Sequence, residues 1–191
     1  MLKTANTANT LLLLSVFFFG IAHIAFLPPW EGFDETAHYS YIKQLADTGT
    51  RPAVGAGRIA AEIDAYAARG PMPYNAVPPY ENNGGFTYAG FFSQPANVLA
   101  DVQGLLFGGG VAPPFLPGTI YNWEAQHPPL YYWVMAAVSW GDKDGPLGRR
   151  LLLLRVTSYV LAFAGFYLAF YANRKALSDW LPEKNGPLLA A

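Results

Sequence analysis

The chain has 191 residues, of which 52% are hydrophobic and 13% are charged, and it contains no cysteine. The charged fraction is about half of the roughly 25% typical of soluble domains, which argues against an ordinary soluble enzyme, and the lack of cysteine excludes disulfides and thiolate chemistry. A formal net charge of -1 provides no basic field for a nucleic acid backbone, so no nucleic acid partner is expected.

The first apolar run predicts a transmembrane helix. Residues 11–27 read LLLLSVFFFGIAHIAFL, 17 residues without a formal charge, which is close to the length that crosses about 30 Å of hydrocarbon. Lys3 precedes the run and Pro28 ends it, so we expect residues 1–10 to be cytoplasmic. A cleaved signal peptide is the alternative, but the run exceeds a usual signal core and no A-x-A site follows it.

A large outer loop is predicted over residues 28–127. It carries nine acidic residues and four basic ones. Because positively charged loops prefer the cytoplasmic side of a membrane, we expect this acidic segment on the outer side. Apolar residues at helical spacing, together with Gly and Pro at the ends of the segments, predict short surface helices at about 34–47, 57–69 and 94–107. One hundred residues are too many for a passive connector, so we expect this loop to carry function.

Two further helices complete the predicted architecture. Residues 128–141 predict a short second transmembrane helix, 142–150 a cytoplasmic loop, and 151–172 a third transmembrane helix, with 173–191 as an outer tail. The tail ends in PLLAA as if another span began, so the rest of a longer chain is expected beyond it. The fold class is therefore an α-helical polytopic membrane protein with about three transmembrane helices and a large outer loop carrying surface helices.

Arg155 is the one charge inside the predicted third span. We favour the interpretation that its side chain reaches back to the interface from about one turn inside the membrane. The functional alternative is a cation that binds phosphate within the membrane, which would require a water-filled cavity.

Chemistry is first indicated where the outer loop begins. Asp34 and Glu35 follow the first span by a few residues, which holds both carboxylates near the headgroup plane, and His38 lies four residues after Asp34 on the same helical face. Such a carboxylate takes a proton from an acceptor hydroxyl or holds a divalent metal with His38. The alternative is that Asp34 is only the N-cap of the helix, where Asp is favoured.

A second group of polar and aromatic residues stands before the second predicted span. Glu124 and His127 precede a double proline and are expected to meet Asp34 and Glu35 in space, while Tyr131 and Tyr132 would line the interface. The alternative for the polar pair is a solvated rim. Two Glu-x-x-His pairs are present, but the further carboxylates of a di-iron site are missing from the spans, so at most a single metal is expected.

The order of the motifs PPWEGFDETAHYSYIKQLADTG, EAQHPPLYYWVMAAV and RRLLLLRVTSYVLAF resembles the amino-terminal part of GT-C glycosyltransferases. These polytopic enzymes are related to protein O-mannosyltransferases and aminoarabinose transferases, and bacterial membrane proteins are grouped with them. The resemblance covers about residues 11–172, in pieces. In that superfamily an acidic pair follows the first span, and a His/Lys-Pro-Pro-Leu-Tyr-Tyr-like motif opens the second.

The resemblance implies transfer of a sugar from a polyprenyl-phosphate donor to an acceptor on the outer face of a bacterial inner membrane, in the cell envelope. Asp34 matches the catalytic acidic position, with Glu35 beside it, and His127 matches the motif that closes the loop over the site. His38, Glu124, Tyr131 and Tyr132 are then candidates for substrate binding. The alternative is a noncatalytic membrane protein whose outer loop binds a glycan, a peptide or a partner subunit.

Overall fold

The computed structural model describes residues 2–72, 86–109 and 113–180. Of the described residues, 67% are helical. In chain order the elements are α1 (Leu2–Phe26), α2 (Glu35–Thr48), β1 (Arg58–Ala60), α3 (Ala61–Ala67), α4 (Tyr88–Phe92), α5 (Ala96–Phe107), β2 (Pro117–Tyr121), a 3₁₀ helix (Trp123–Gln126), α6 (Leu130–Gly141) and α7 (Leu147–Trp180). These elements form two compact units, which we call the helix pair (α1 with α7 from Arg155 onward) and the body (Leu27–Leu154).

Two segments, one in α1 and one in α7, are long and apolar enough to cross a membrane. They are Asn9–Phe26 in α1, with mean hydropathy 1.9, and Leu147–Asn173, which begins with α7, with mean hydropathy 1.7. Only 6% of the first segment and 11% of the second is buried, whereas the core helix of a soluble domain is mostly buried. Two such helices support membrane integration; the third transmembrane helix expected from the sequence is not shown.

The two helices of the pair run antiparallel. The Tyr159 hydroxyl donates hydrogen bonds to the carbonyl oxygens of Val16 and Phe17, at 2.8 and 3.2 Å. The Tyr159 ring lies against Gly20, where a side chain would collide with it, and Phe163 packs on Phe17 with ring centroids 5.1 Å apart. Contacts therefore move toward the start of α1 as α7 proceeds, and the absence of a side chain at Gly20 permits the close approach.

The body is built around α2. Ala37, Tyr41, Ile42 and Leu45 are all buried, which is the apolar face that their spacing predicted. Gly49 ends the helix with φ 69°, a conformation that glycine adopts without strain, and its N–H donates to the Leu45 carbonyl oxygen at 2.9 Å. The helix expected at 34–47 thus occupies Glu35–Thr48.

The second expected surface helix, 57–69, is divided in the structure. Its first residues form β1, which pairs antiparallel with β2 so that Arg58 lies opposite Tyr121 and Ala60 opposite Pro117, and only then does α3 begin. The third expected helix, 94–107, occupies Ala96–Phe107 as α5. Residues 73–85 lie outside the described residues.

The short helix α6 and the start of α7 belong to the body. One face of α6, consisting of Tyr132, Met135, Ala136 and Ser139, is buried, and the first turns of α7 bury Leu147, Arg150, Leu151 and Leu154. The Arg150 guanidinium lies 3.4 Å from the hydroxyl of Tyr39 in α2. This differs from the expectation that 142–150 is a cytoplasmic loop opposite the outer loop, because groups in contact lie on one side of a membrane. The expected tail, 173–191, continues α7 to Trp180, and 181–191 lie outside the described residues.

Candidate functional site

Asp34 occupies the N-cap position of α2 in a left-handed conformation, with φ 50° and ψ 22°. Its carbonyl oxygen accepts hydrogen bonds from the N–H groups of Ala37 and His38, both at 3.0 Å, but its carboxylate makes no capping hydrogen bond. Asp is among the few side chains that tolerate this backbone conformation. The N-cap alternative therefore holds for the backbone of Asp34 only, and the partly exposed carboxylate is not used to start the helix.

His38 lies one turn into α2 and meets the segment that precedes α6. Its Nδ1 is 2.9 Å from the hydroxyl of Tyr132 and 3.9 Å from Oε2 of Glu124. The same Oε2 atom is 2.9 Å from Nε2 of His127, and the two imidazole centroids are 6.1 Å apart. Glu124 and His127 therefore meet His38, and the two histidines share one carboxylate oxygen; the expected contact of Glu124 and His127 with Asp34 and Glu35 stays a prediction.

Glu124 is the most buried member of this cluster, with its side chain 7% exposed, against 33% for His38 and 48% for His127. Although Oε2 is within ion-pair distance of His127, it has no hydrogen bond of acceptable geometry. A buried carboxylate oxygen without a hydrogen bond is costly and has a strong electrostatic effect on any cation beside it. The cluster therefore contains one buried oxygen, Oε2 of Glu124, that lacks a hydrogen bond and lies beside two histidines that reach solvent.

Tyr132 packs beside the cluster of His38, Glu124 and His127. Its ring stacks on that of Tyr41, with centroids 3.7 Å apart and an interplanar angle of 13°, and Tyr131 lies edge-on to it at 5.3 Å. Burial, followed by the charge of Glu124, raises the pKa of Tyr132 far above its usual value, so its hydroxyl keeps its proton. With the His38 ring proton on Nε2, Nδ1 accepts the phenol hydrogen, and an Nε2–H donor remains for a ligand.

The protonation of His38 is set by opposing effects. Burial lowers the pKa of His38 below 6.5, while the negative charges of Glu124, Asp34 and Glu35 raise it and the charge of His127 lowers it further. Because burial is the largest effect, the imidazole is neutral at neutral pH. Since the charges of Asp34 and Glu35 both raise the pKa of His38, the two carboxylates of the acidic pair lie within electrostatic range of its ring.

Asn122 fixes the two sides of the cluster to each other, and the sequence did not single it out. Its side-chain amide donates to the carbonyl oxygen of Ala37 at 3.0 Å, and its side-chain oxygen accepts from the N–H of Glu124 at 2.9 Å. The residue is 4% exposed. An Asn directly before a short helical turn is a capping signal in the sequence, but its long-range bond to α2 has no local signal.

The expected metal site has no set of ligands in the part of the chain that the structure describes. No three His, Asp or Glu side chains there are arranged to hold a metal ion, the combination of Asp34, Glu35 and His38 included.

A second polar cluster lies on another face of α2. The ammonium of Lys43 is 2.9 Å from Asp47 Oδ2, 2.7 Å from the Pro113 carbonyl oxygen and 3.7 Å from Glu62 Oε1. The hydroxyl of Tyr39 donates to the same Glu62 oxygen at 2.7 Å. Lys43 and Arg150 are each 2% exposed, so we call this group, made of Tyr39, Lys43, Asp47, Glu62 and Arg150, the buried network.

Comparison with known proteins found no matching family model, no matching curated protein and no matching solved structure. The resemblance to GT-C enzymes therefore rests on the sequence motifs alone.

Proposed function

We propose that this chain forms the amino-terminal part of a GT-C type glycosyltransferase of the bacterial inner membrane, with its N-terminus inside and the body on the outer face. The enzyme transfers a sugar from a polyprenyl-phosphate donor to an acceptor hydroxyl. The observation that supports this most directly is the convergence of His38, Glu124 and His127 beside Asp34 and Glu35. The body that carries them is joined at both ends to a helix long enough to cross a membrane.

Asp34 is the general base in this proposal. The acceptor O–H gives its proton to the carboxylate as the acceptor oxygen bonds to the anomeric carbon, and the bond from that carbon to the phosphate oxygen breaks. Polyprenyl phosphate leaves with the bonding electron pair. Asp34 suits this role because its carboxylate makes no capping hydrogen bond to α2 and lies within electrostatic range of His38.

His38 is the substrate-binding donor. Since Tyr132 occupies Nδ1, the Nε2–H of the neutral ring is left to donate a hydrogen bond to a substrate oxygen. His127, which lies 2.9 Å from the Glu124 oxygen that it shares with His38, binds the substrate beside His38 in this proposal. Glu35 and Tyr131 complete the rim of the site in this proposal, from the acidic pair and from the interface side.

The donor phosphate needs a cation, because the body carries eleven acidic residues against seven basic ones. Several of these bases are engaged elsewhere: Arg58 lies over the ring of Tyr121 at 3.9 Å, Arg69 pairs with Asp101, and Arg149 pairs with Asp142. Burial raises the pKa of Tyr41, and the charge of Arg51 partly offsets this, so Arg51 lies near the ring on which Tyr132 stacks. Arg51 is our candidate for the phosphate contact.

The test is transfer of a radiolabelled sugar from a polyprenyl-phosphate carrier in membranes that contain the whole protein. Asp34→Asn removes the base and is expected to reduce transfer by about 10²- to 10⁴-fold, whereas His38→Ala is expected to weaken substrate binding and raise KM. Asp144→Asn is the matched control, because Asp144 is an exposed carboxylate of the same body. Transfer by Asp34→Asn at the level of the control would remove the catalytic assignment.

A noncatalytic body that binds a glycan is the alternative. Trp123 supports it, since this indole is 39% exposed directly beside Glu124, and sugars stack on exposed aromatic faces. In that case wild-type membranes transfer no sugar, while the protein is retained on a glycan resin and Trp123→Ala is not. Retention that depends on Trp123 without any transfer would favour the alternative.

A further inference from the structure

Helix α6 presents a continuous apolar strip away from its buried face. Its members recur at helical spacing and are all exposed: Leu130, Trp133, Val134, Ala137 and Trp140. Leu130 is 78% exposed and Trp140 64%. No residue of Leu130–Gly141 carries a charge, whereas Asp142, Lys143 and Asp144 follow at once. A continuous apolar strip of this kind indicates a surface that is covered in use.

The length and composition of α6 suit the membrane interface better than the membrane interior. Twelve residues make a helix of about 18 Å, well short of the roughly 30 Å of hydrocarbon. Two tryptophans and two tyrosines lie among its twelve residues, and these amphipathic rings are enriched at the level of the lipid headgroups. A helix with one apolar face that lies parallel to the membrane is the usual form of such a segment.

Contacts on both sides of α6 show that the chain does not change sides there. Before the helix, Glu124 lies beside His38 of α2; after it, Arg150 reaches Tyr39 of the same helix. The body is also joined to α1 at Leu27 and continues directly into α7 after Leu154, and the two helices run antiparallel. An antiparallel pair starts and ends its crossing on the same side.

We propose that the exposed strip of α6 docks on the lipid bilayer, in the headgroup region of the outer leaflet, and that the chain crosses the membrane twice, through α1 and α7. Residues 155–173 of α7 make about 28 Å of helix, which matches the 18 residues of Asn9–Phe26. In this topology Lys3, Arg174 and Lys175 fall on the cytoplasmic side and the acidic body outside, as the positive-inside rule requires. The proposal concerns topology and does not depend on sugar transfer.

The first test uses single cysteines, for which the chain offers a cysteine-free background. Gln126→Cys lies before α6 and Asp144→Cys after it, and both positions are exposed. An impermeant thiol reagent is expected to label both in intact cells and to label Lys175→Cys only after lysis. If α6 crossed the membrane, Gln126→Cys and Asp144→Cys would label from opposite sides, and that result, or protection of both in intact cells, overturns the proposal.

The second test reports lipid contact directly. In vesicles that contain phosphatidylcholine brominated on its acyl chains, the tryptophan fluorescence of the whole protein is expected to be quenched. The double variant Trp133→Phe/Trp140→Phe should lose a large share of that quenching, while Trp123→Phe, the matched control on the 3₁₀ helix, should keep it. Undiminished quenching in the double variant would show that these indoles do not touch lipid and would overturn the proposal.

Discussion

Two polar clusters are built on the same helix, α2, and the charges at their centres, Lys43 and Glu124, differ in how completely they are paired. In the buried network, Lys43 reaches two carboxylates and a backbone carbonyl oxygen and is 2% exposed. In the site cluster, His38 is one third exposed and the Glu124 oxygen between the histidines has no hydrogen bond. The difference teaches that residue type alone does not separate structural from functional groups; completeness of pairing and access to solvent do.

The contrast has an energetic side. A buried ion group with its partners in place is close to neutral in its net contribution, but it becomes strongly destabilising when one partner is removed, because the charges left behind are no longer compensated. A half-exposed group loses far less, since water replaces the missing partner. The two clusters should therefore respond oppositely to substitution: loss of stability for the buried network, loss of function for the site cluster.

Lys43→Met should give the largest loss of stability. The substitution keeps the length of the side chain but leaves Asp47 and Glu62 without their cation and the Pro113 carbonyl oxygen without its donor. We expect the free energy of unfolding in detergent to fall by about 3–5 kcal/mol, measured by denaturant titration. Lys143→Met, at an exposed lysine that follows α6, is the control and should stay within about 0.5 kcal/mol. A loss below about 1 kcal/mol in Lys43→Met would contradict the contrast.

Asn122→Ala should lower stability by less than Lys43→Met does, and it should also reduce sugar transfer. It leaves the buried N–H of Glu124 without its acceptor, at about 1–3 kcal/mol, and removes a second donor to the Ala37 carbonyl oxygen, which as a residue of α2 also accepts within the helix. It also frees Glu124 to move relative to His38, so sugar transfer should fall by more than the lost stability explains. Asn122→Asp is the comparison variant, because it keeps the acceptor for Glu124 while it loses the donor to Ala37 and adds a buried negative charge. Equal transfer in wild type and Asn122→Ala, with stability reduced, would restrict Asn122 to a structural role.

The sequence predicted the parts of this molecule that have a local signal. The apolar spacing of Ala37, Tyr41, Ile42 and Leu45 located α2 to within one residue at each end, and the hydropathy of α1 located a candidate span. Strand β1 was missed because its three residues lie in a stretch with helical periodicity, and its partner β2 is more than fifty residues away. Such pairing has no signal in a local window.

The same limit applies to the site. The sequence placed Glu124 and His127 near Asp34 and Glu35, through the expectation that the two ends of the loop meet, whereas the structure brings Glu124 and His127 to His38, with both histidines within ion-pair distance of one carboxylate oxygen. It did not find Asn122 or the burial of Arg150, because both depend on tertiary contacts with α2. The contact of Arg150 with Tyr39 places residues 142–150 on the same side of the membrane as α2. The sequence predicted the cytoplasmic side because it shows only the positive charge before α7.

The smallest expected effect is the pH dependence that His38 gives to stability. Burial lowers its pKa in the folded chain below the 6.5 of the unfolded chain, so between these two values the unfolded chain binds the proton more readily. The stabilising contribution is therefore fully present above pH 6.5 and is lost as the pH falls through the folded pKa. Because the ring is one third exposed, the effect should stay well under the roughly 1.4 kcal/mol that one pKa unit represents.

His38→Gln isolates this effect, since glutamine retains a polar amide near Tyr132 but does not titrate. Denaturant titrations from pH 7.5 down to pH 5 should show the wild type losing more stability than His38→Gln, with the difference confined to the region below pH 6.5. Parallel profiles would mean that His38 has the same pKa in both states, and a smaller loss in the wild type would mean that Glu124 and Asp34 outweigh burial. In that last case the pKa of folded His38 would lie above 6.5, and the larger share of imidazole that is charged at neutral pH would bind the donor phosphate as a cation.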